Sequence, residues 1–102
     1  MMGSTLTNLL AERVMGWKVC PDRYLKPGRT WIPKWRFEPL VRLDDAFLLL
    51  DNVGSTYVLS LGATGVFTAE IQIGDQVGKC SGEPKARAIT LAISQALGIE
   101  VS

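Results

Sequence analysis

Histidine is absent from this 102-residue chain. Histidine general-base chemistry, Ser/His/Asp or Cys/His nucleophiles and His-ligated metal sites are therefore excluded. Cysteine is scarce: Cys20 and Cys80 are too few for a disulfide scaffold, a zinc site or an iron-sulfur site, so reduced thiols are expected. Charge of one sign is not in excess either. Eleven Lys and Arg against ten Asp and Glu leave +1 overall, which argues against an evenly basic nucleic-acid coat or a polybasic membrane arm. No stretch approaches the ~20 apolar residues of a membrane span, and Met1 to Leu10 lacks a basic region followed by a long apolar run. An intracellular protein without membrane contact is expected.

What the chain does have is apolar content. At 47% hydrophobic residues it can fill a core, and a chain of this size buries roughly two thirds of its extended surface on folding. One domain, 1–102, is expected. Leu6, Leu9, Leu10 and Val14 fall at helical spacing between Ser4 or Thr5 as N-cap and Gly16 as stop. Leu43, Ala46, Phe47, Leu50 and Val53 form a second helical stripe closed by Gly54. Thr56 to Leu61 and Val66 to Ile73 read as strands joined by a hairpin turn at Gly62, Ala63, Thr64 and Gly65, and Gln76 to Cys80 reads as a third. In the second strand Phe67, Ala69, Ile71 and Ile73 alternate with Thr68, Glu70 and Gln72, so one sheet face should be partly wet. A closing helix from about Pro84 to Leu97 carries Ala86, Ile89, Ile93, Ala96 and Leu97 on one stripe, with Gly98 as its cap. The expected fold class is α+β: a three-stranded antiparallel meander packed with three helices in the order α-loop-α-β-β-β-α, an α/β sandwich with one long Pro- and Trp-rich basic loop.

That loop, residues 17–42, holds seven of the eleven basic residues, all three tryptophans and four of the five prolines. Pro21, Pro27, Pro33 and Pro39 recur every six residues, each removing a backbone donor. No regular structure is expected there beyond short extended pieces such as Thr30 to Ile32. Long ordered loops in compact domains are often functional. Its charge is seven basic against two acidic side chains, whereas residues 43–102 carry three against seven. Such asymmetry steers an anion to one end or lets two copies pair.

The phrase Leu9-Leu10-Ala11-Glu12-Arg13-Val14-Met15-Gly16-Trp17-Lys18, the Pro- and Trp-rich loop, the helix containing Asp44-Asp45-Ala46-Phe47, the short meander and the Ala-rich closing helix occur in this order. Together they resemble the phage ABA-sandwich domain family, small proteins encoded by bacteriophages and prophages. The resemblance implies an α/β sandwich with helices on both sheet faces and a phage origin; the host cytoplasm is the expected location. It carries no activity to assign to residues.

Two placements of Trp31 and Trp35 follow. They lie across the polar face of the sheet as core, which burial of aromatic area favours, or they face outward as a ligand site. In the second case Arg29, Trp31, Lys34, Trp35 and Arg36 interleave cations and aromatics, the combination that stacks a base and holds a phosphate. A secondary anion site is Lys79, Ser81, Lys85 and Arg87, where small residues lead a strand into a helix N-terminus. Ser81 also reads as a plain N-cap. The junction faintly resembles that of double-stranded RNA-binding domains, with Glu83 and Pro84 interrupting the lysines. Asp44, Asp45 and Asp51 do not converge as a carboxylate site, since adjacent helix residues point to different sides.

The expectation is a non-enzymatic phage accessory binding protein with no cofactor and no metal, acting in counter-defence by sequestering an anionic small ligand such as a nucleotide signal. It is expected to be a homo-oligomer. A protein-interaction module inhibiting a host factor and a nucleic-acid-binding module are the alternatives.

Overall fold

A computed structural model describes residues 2–99 of the chain. Helix α1 spans Met2–Arg13, so Ser4 and Thr5 lie inside the helix and not at its cap. The chain leaves it through a left-handed Gly16 (φ 71°), with the Trp17 N–H donating to the Ala11 carbonyl at 3.0 Å.

The expected irregular loop is instead a second sheet. Strands β1 (Lys18–Val19), β2 (Arg23–Lys26) and β3 (Thr30–Pro33) form an antiparallel meander in that order, followed by a single 3-10 turn, Lys34–Arg36. The prolines explain why the segment reads as a loop and why it is not one. Pro21 and Pro27 occupy the two turns, Pro33 ends edge strand β3, and Pro39 sits in the turn beyond. None is at a position where the ladder needs its missing N–H. The six-residue repeat is thus the punctuation of a meander with very short strands.

One face of this sheet is core. Trp17, Tyr24 and Phe37 are buried and meet edge to face or tilted, with ring centroids 5.0–5.9 Å apart. The Tyr24 hydroxyl donates to Asn8 Oδ1 at 2.8 Å, which ties the sheet to α1. Burial pushes the Tyr24 phenol above its ordinary pKa.

Helix α2 runs Leu43–Val53 and ends at left-handed Gly54 (φ 69°), as the pattern predicts. Its buried side turns out to include Leu49 beside Ala46 and Leu50, while Leu43 stays exposed. Strands β4 (Thr56–Leu61), β5 (Phe67–Ile73) and β6 (Gln76–Ser81) form the expected meander, with Leu61 opposite Phe67 and Ala69 opposite Cys80. Helix α3, Lys85–Ala96, lies over β5 and β6 and is buried almost all round, including Thr90 and Ser94. Helix α2 packs on α3, so both lie to the same side of the sheet.

Two contacts fix this stack. At Gly78 of β6 an added Cβ would run into the Ala92 carbonyl oxygen and stand 2.8 Å from the Ala96 amide nitrogen, so the backbones of strand and helix approach as closely as glycine allows. The Thr90 hydroxyl donates to the Pro39 carbonyl at 2.6 Å, and the Ser94 hydroxyl to the Thr90 carbonyl at 2.9 Å. A third link, the Glu38 N–H to Asp45 Oδ2 at 2.8 Å, holds the turn before α2.

The other face of the β4–β6 sheet, carrying Thr68, Glu70, Gln72, Val58, Val77 and Lys79, is open to solvent. Val58 and Val77 are 66% and 56% exposed. Of the two placements open to Trp31 and Trp35, cover of this face or an outward position, burial as its cover is the one not found: they are 51% and 67% exposed, because the segment that carries them forms its own sheet and 3-10 turn.

Gly78→Ala is expected to cost at least about 1–3 kcal/mol, because helix backbone and no flexible side chain blocks the new methyl. The drop in thermal midpoint by circular dichroism measures it, at roughly 4–8 °C per kcal/mol for a domain this size. Thr90→Val leaves the buried Pro39 carbonyl without its donor and is expected to cost about 1–3 kcal/mol. Thr90→Ser keeps the hydroxyl, and urea unfolding should rank it above Thr90→Val.

Candidate functional site

In an antiparallel ladder, residues directly opposite share a face and neighbours along the strand alternate. With Tyr24, Ile32 and Val19 on the core side, the outer face of the small sheet must carry Lys18, Leu25 and Trp31 in one row, flanked by Arg23 and Pro33. The Arg23 guanidinium lies 4.3 Å from the centre of the Trp31 ring. Asp22 orients it: Arg23 Nε and Nη2 donate to the two carboxylate oxygens at 3.1 and 2.9 Å. The same hydrogen bonds, joined by the arginine's charge, hold the Asp22 carboxyl below its ordinary 3.8 and raise Arg23 further. The pair is therefore ionised throughout the neutral range. Arg29 sits at the β2–β3 turn in left-handed conformation (φ 67°), beside a turn closed by the Thr30 hydroxyl donating to the Pro27 carbonyl at 3.3 Å.

The residues expected to form one site divide into separate groups. Trp31 faces outward with Arg23, and Arg29 lies at the end of the same hairpin. Lys34 goes to the other side, its Nζ 5.6 Å from the Tyr24 ring. Trp35 pairs with Arg36, whose guanidinium is 5.7 Å from its ring, on the 3-10 turn. Arg23 and Lys18 were missed, because without the hairpin there was no parity to place them beside Trp31. The signal was Pro27-Gly28-Arg29 between two β-compatible tetrads, which makes a hairpin and sets Leu25 opposite Trp31.

The secondary set does not converge either. Ser81 is the last residue of β6, opposite Thr68, and Gly82 extends that ladder with its N–H to the Phe67 carbonyl at 2.8 Å. The helix starts after Pro84, which occupies the N-cap position without a side-chain bond, so Ser81 is not the cap. Lys79 stands on the open sheet face opposite Glu70. Lys85 Nζ lies 5.8 Å from the Phe67 ring, and Arg87, two residues on, projects from another side of α3. Cys20 and Cys80 are both free and half-buried, one in each half of the fold. Among the described residues no three His, Cys, Asp or Glu side chains gather as a metal site requires. No described helix is long and apolar enough to cross a membrane.

No family model and no curated protein matches the chain. Among solved structures it is similar to a phage protein from Bacillus cereus ATCC 14579, known from a 2.0 Å crystal structure. The two share 14% identity at a TM-score of 0.77, over 100% of this chain and 93% of that one. The chain accordingly has the fold of that phage protein over its whole length.

Proposed function

We propose that this chain is a phage accessory protein of the ABA-sandwich kind that acts by binding, without chemistry of its own, and that captures an anionic ligand bearing an aromatic base on the outer face of the β1–β3 sheet. The observation that carries this reading is the Arg23 guanidinium stacked 4.3 Å from a half-exposed Trp31, with Lys18 on the same face. A stacked indole offers area for a base at little entropic cost, and the cations around it attract phosphate. Likeness to a phage protein supports the setting. In that setting, the protein works as a homo-oligomer in the host cytoplasm and withholds a nucleotide signal from a host defence.

Calorimetric titration with nucleoside mono- and diphosphates and cyclic dinucleotides tests it. Trp31→Ala is expected to weaken the best ligand about 5- to 150-fold, the worth of one base stack of about 1–3 kcal/mol. Arg23→Ala should weaken it too, whereas Asp22→Asn, which frees the guanidinium from its carboxylate, should tighten it. Trp35→Ala should change little. A nucleotide ligand predicts a shallow salt dependence; a steep slope means that many phosphates are neutralised and that a nucleic-acid strand occupies the face instead. Absence of any nucleotide binding, or binding indifferent to Trp31→Ala, overturns the proposal.

A further inference from the structure

We infer that two copies of this chain pair through the free edges of their β4 strands, joining the two β4–β6 sheets into one six-stranded antiparallel sheet; this rests on the homo-oligomer part of the proposed function and names its interface. The two edges of the sheet are treated differently. On β6 the Lys79 N–H, turned away from β5, is taken by Gln95 Oε1 of α3 at 3.0 Å, and Lys79 itself puts a charge on that strand. Side-chain plugs and lysines are ways in which proteins keep edges from pairing. Strand β4 has neither. Its six residues, Thr56-Tyr57-Val58-Leu59-Ser60-Leu61, contain no charge and no proline, and their register with β5 runs from Thr56–Gln72 to Leu61–Phe67 without a bulge. Among the described residues nothing pairs with its outer edge.

Charge and apolar exposure point to a second copy as occupant. From Asn52 to Thr68 the chain has no charged residue. Within that stretch Tyr57, Val58, Leu61 and Val66 are 45–66% exposed, an apolar strip around an unguarded edge. The nearest acidic side chain before the strand, Asp51, precedes its Thr56 end. Antiparallel pairing brings that end to the uncharged Gly62–Val66 turn of the other copy, so the two acidic helices stand at opposite ends of the ribbon.

Parity narrows the register. Tyr57, Leu59 and Leu61 share the helix-bearing face with Ile71, Ala69 and Phe67, while Thr56, Val58 and Ser60 share the open face. A two-fold axis perpendicular to the sheet keeps the helix-bearing faces together only if odd residues meet odd ones. Of the registers that satisfy this, the two that overlap Thr56–Leu61 most fully put either Val58 or Leu59 opposite its own mate. With Leu59 on the axis, Tyr57 of each copy stands opposite Leu61 of the other.

Sedimentation velocity of the full chain is expected to give a dimer of the 11.2 kDa protomer. Val58→Lys, at an exposed open-face position, places two ammonium groups close across the axis and should raise the dimer dissociation constant at least about 100-fold. Val77→Lys, on the same face but on β6, should leave the dimer intact. Amide exchange in the wild-type dimer should protect consecutive β4 amides, where a free edge protects only alternate ones. If Val58→Lys does not fold by circular dichroism, Ser60→Lys repeats the test with the same expectation. An oligomer unmoved by the folded lysine variant overturns the β4 interface while leaving the oligomer reading intact. A wild-type monomer at the highest concentration the protein tolerates overturns both.

Discussion

Backbone lies almost on backbone where α3 crosses β6 at Gly78, and the rest of the molecule is arranged around that contact. Side chains facing a strand at such a distance must be small, which is why Ala88, Ala92 and Ala96 recur on a helix otherwise built on Ile89 and Ile93. Drawing the helix in so closely leaves its far side near the next layer, where Ala46, Leu49 and Leu50 of α2 are buried. Its two enclosed faces have no solvent in which to place polar groups, and Lys85, Arg87 and Gln95 keep to the exposed remainder. Thr90 and Ser94 are tolerated there because each hydroxyl finds a carbonyl: Thr90 on Pro39 across the layer, Ser94 on the turn below.

Much of this half of the fold was legible in the residues. The alternation of Phe67, Ala69 and Ile71 against Thr68, Glu70 and Gln72, the Gly62–Gly65 turn and the Gly54 stop each rest on local geometry, and local geometry persists in the folded chain. Less legible was which way each helix faces. The stripe chosen for α2 left out Leu49 and included Leu43, because the helical period alone does not say how wide the covering layer is. The N-cap at Ser81 failed for a different reason. Nothing local distinguishes a serine ending a strand from one beginning a helix when the ladder partner, Thr68, is thirteen residues away.

The segment 17–42 was the hardest to read. Its strands are two to four residues long, shorter than any periodicity can register, and prolines stand where strands would be sought. The candidate site depends on the pairing of those strands. Trp31 was singled out by its type, yet its partner depends on pairing across a hairpin, and Arg23 is eight residues back in sequence. Trp17 shows the converse: the same residue type in the same basic segment is core, because it packs with Tyr24 and Phe37 on the face toward α1.

How the basic segment holds its charge bears on what it can attract. Four of its cations lie against aromatic rings: Arg23 on Trp31, Lys26 on Trp17, Lys34 on Tyr24 and Arg36 on Trp35. Among the described residues the segment's ion pair is Arg23 with Asp22. The difference is physical. A carboxylate neutralises the cation it orients, whereas a ring quadrupole orients a cation and leaves its charge in place. Ring stacking thus lets segment 17–42 fix several long side chains while keeping most of its net +5 for an approaching anion. The exposed charges act over about a Debye length, ~8 Å at physiological salt, so an anion feels them chiefly once it is near the sheet itself. The outer row of Lys18, Leu25 and Trp31 is the part of that surface where a flat apolar group and a cation are presented together.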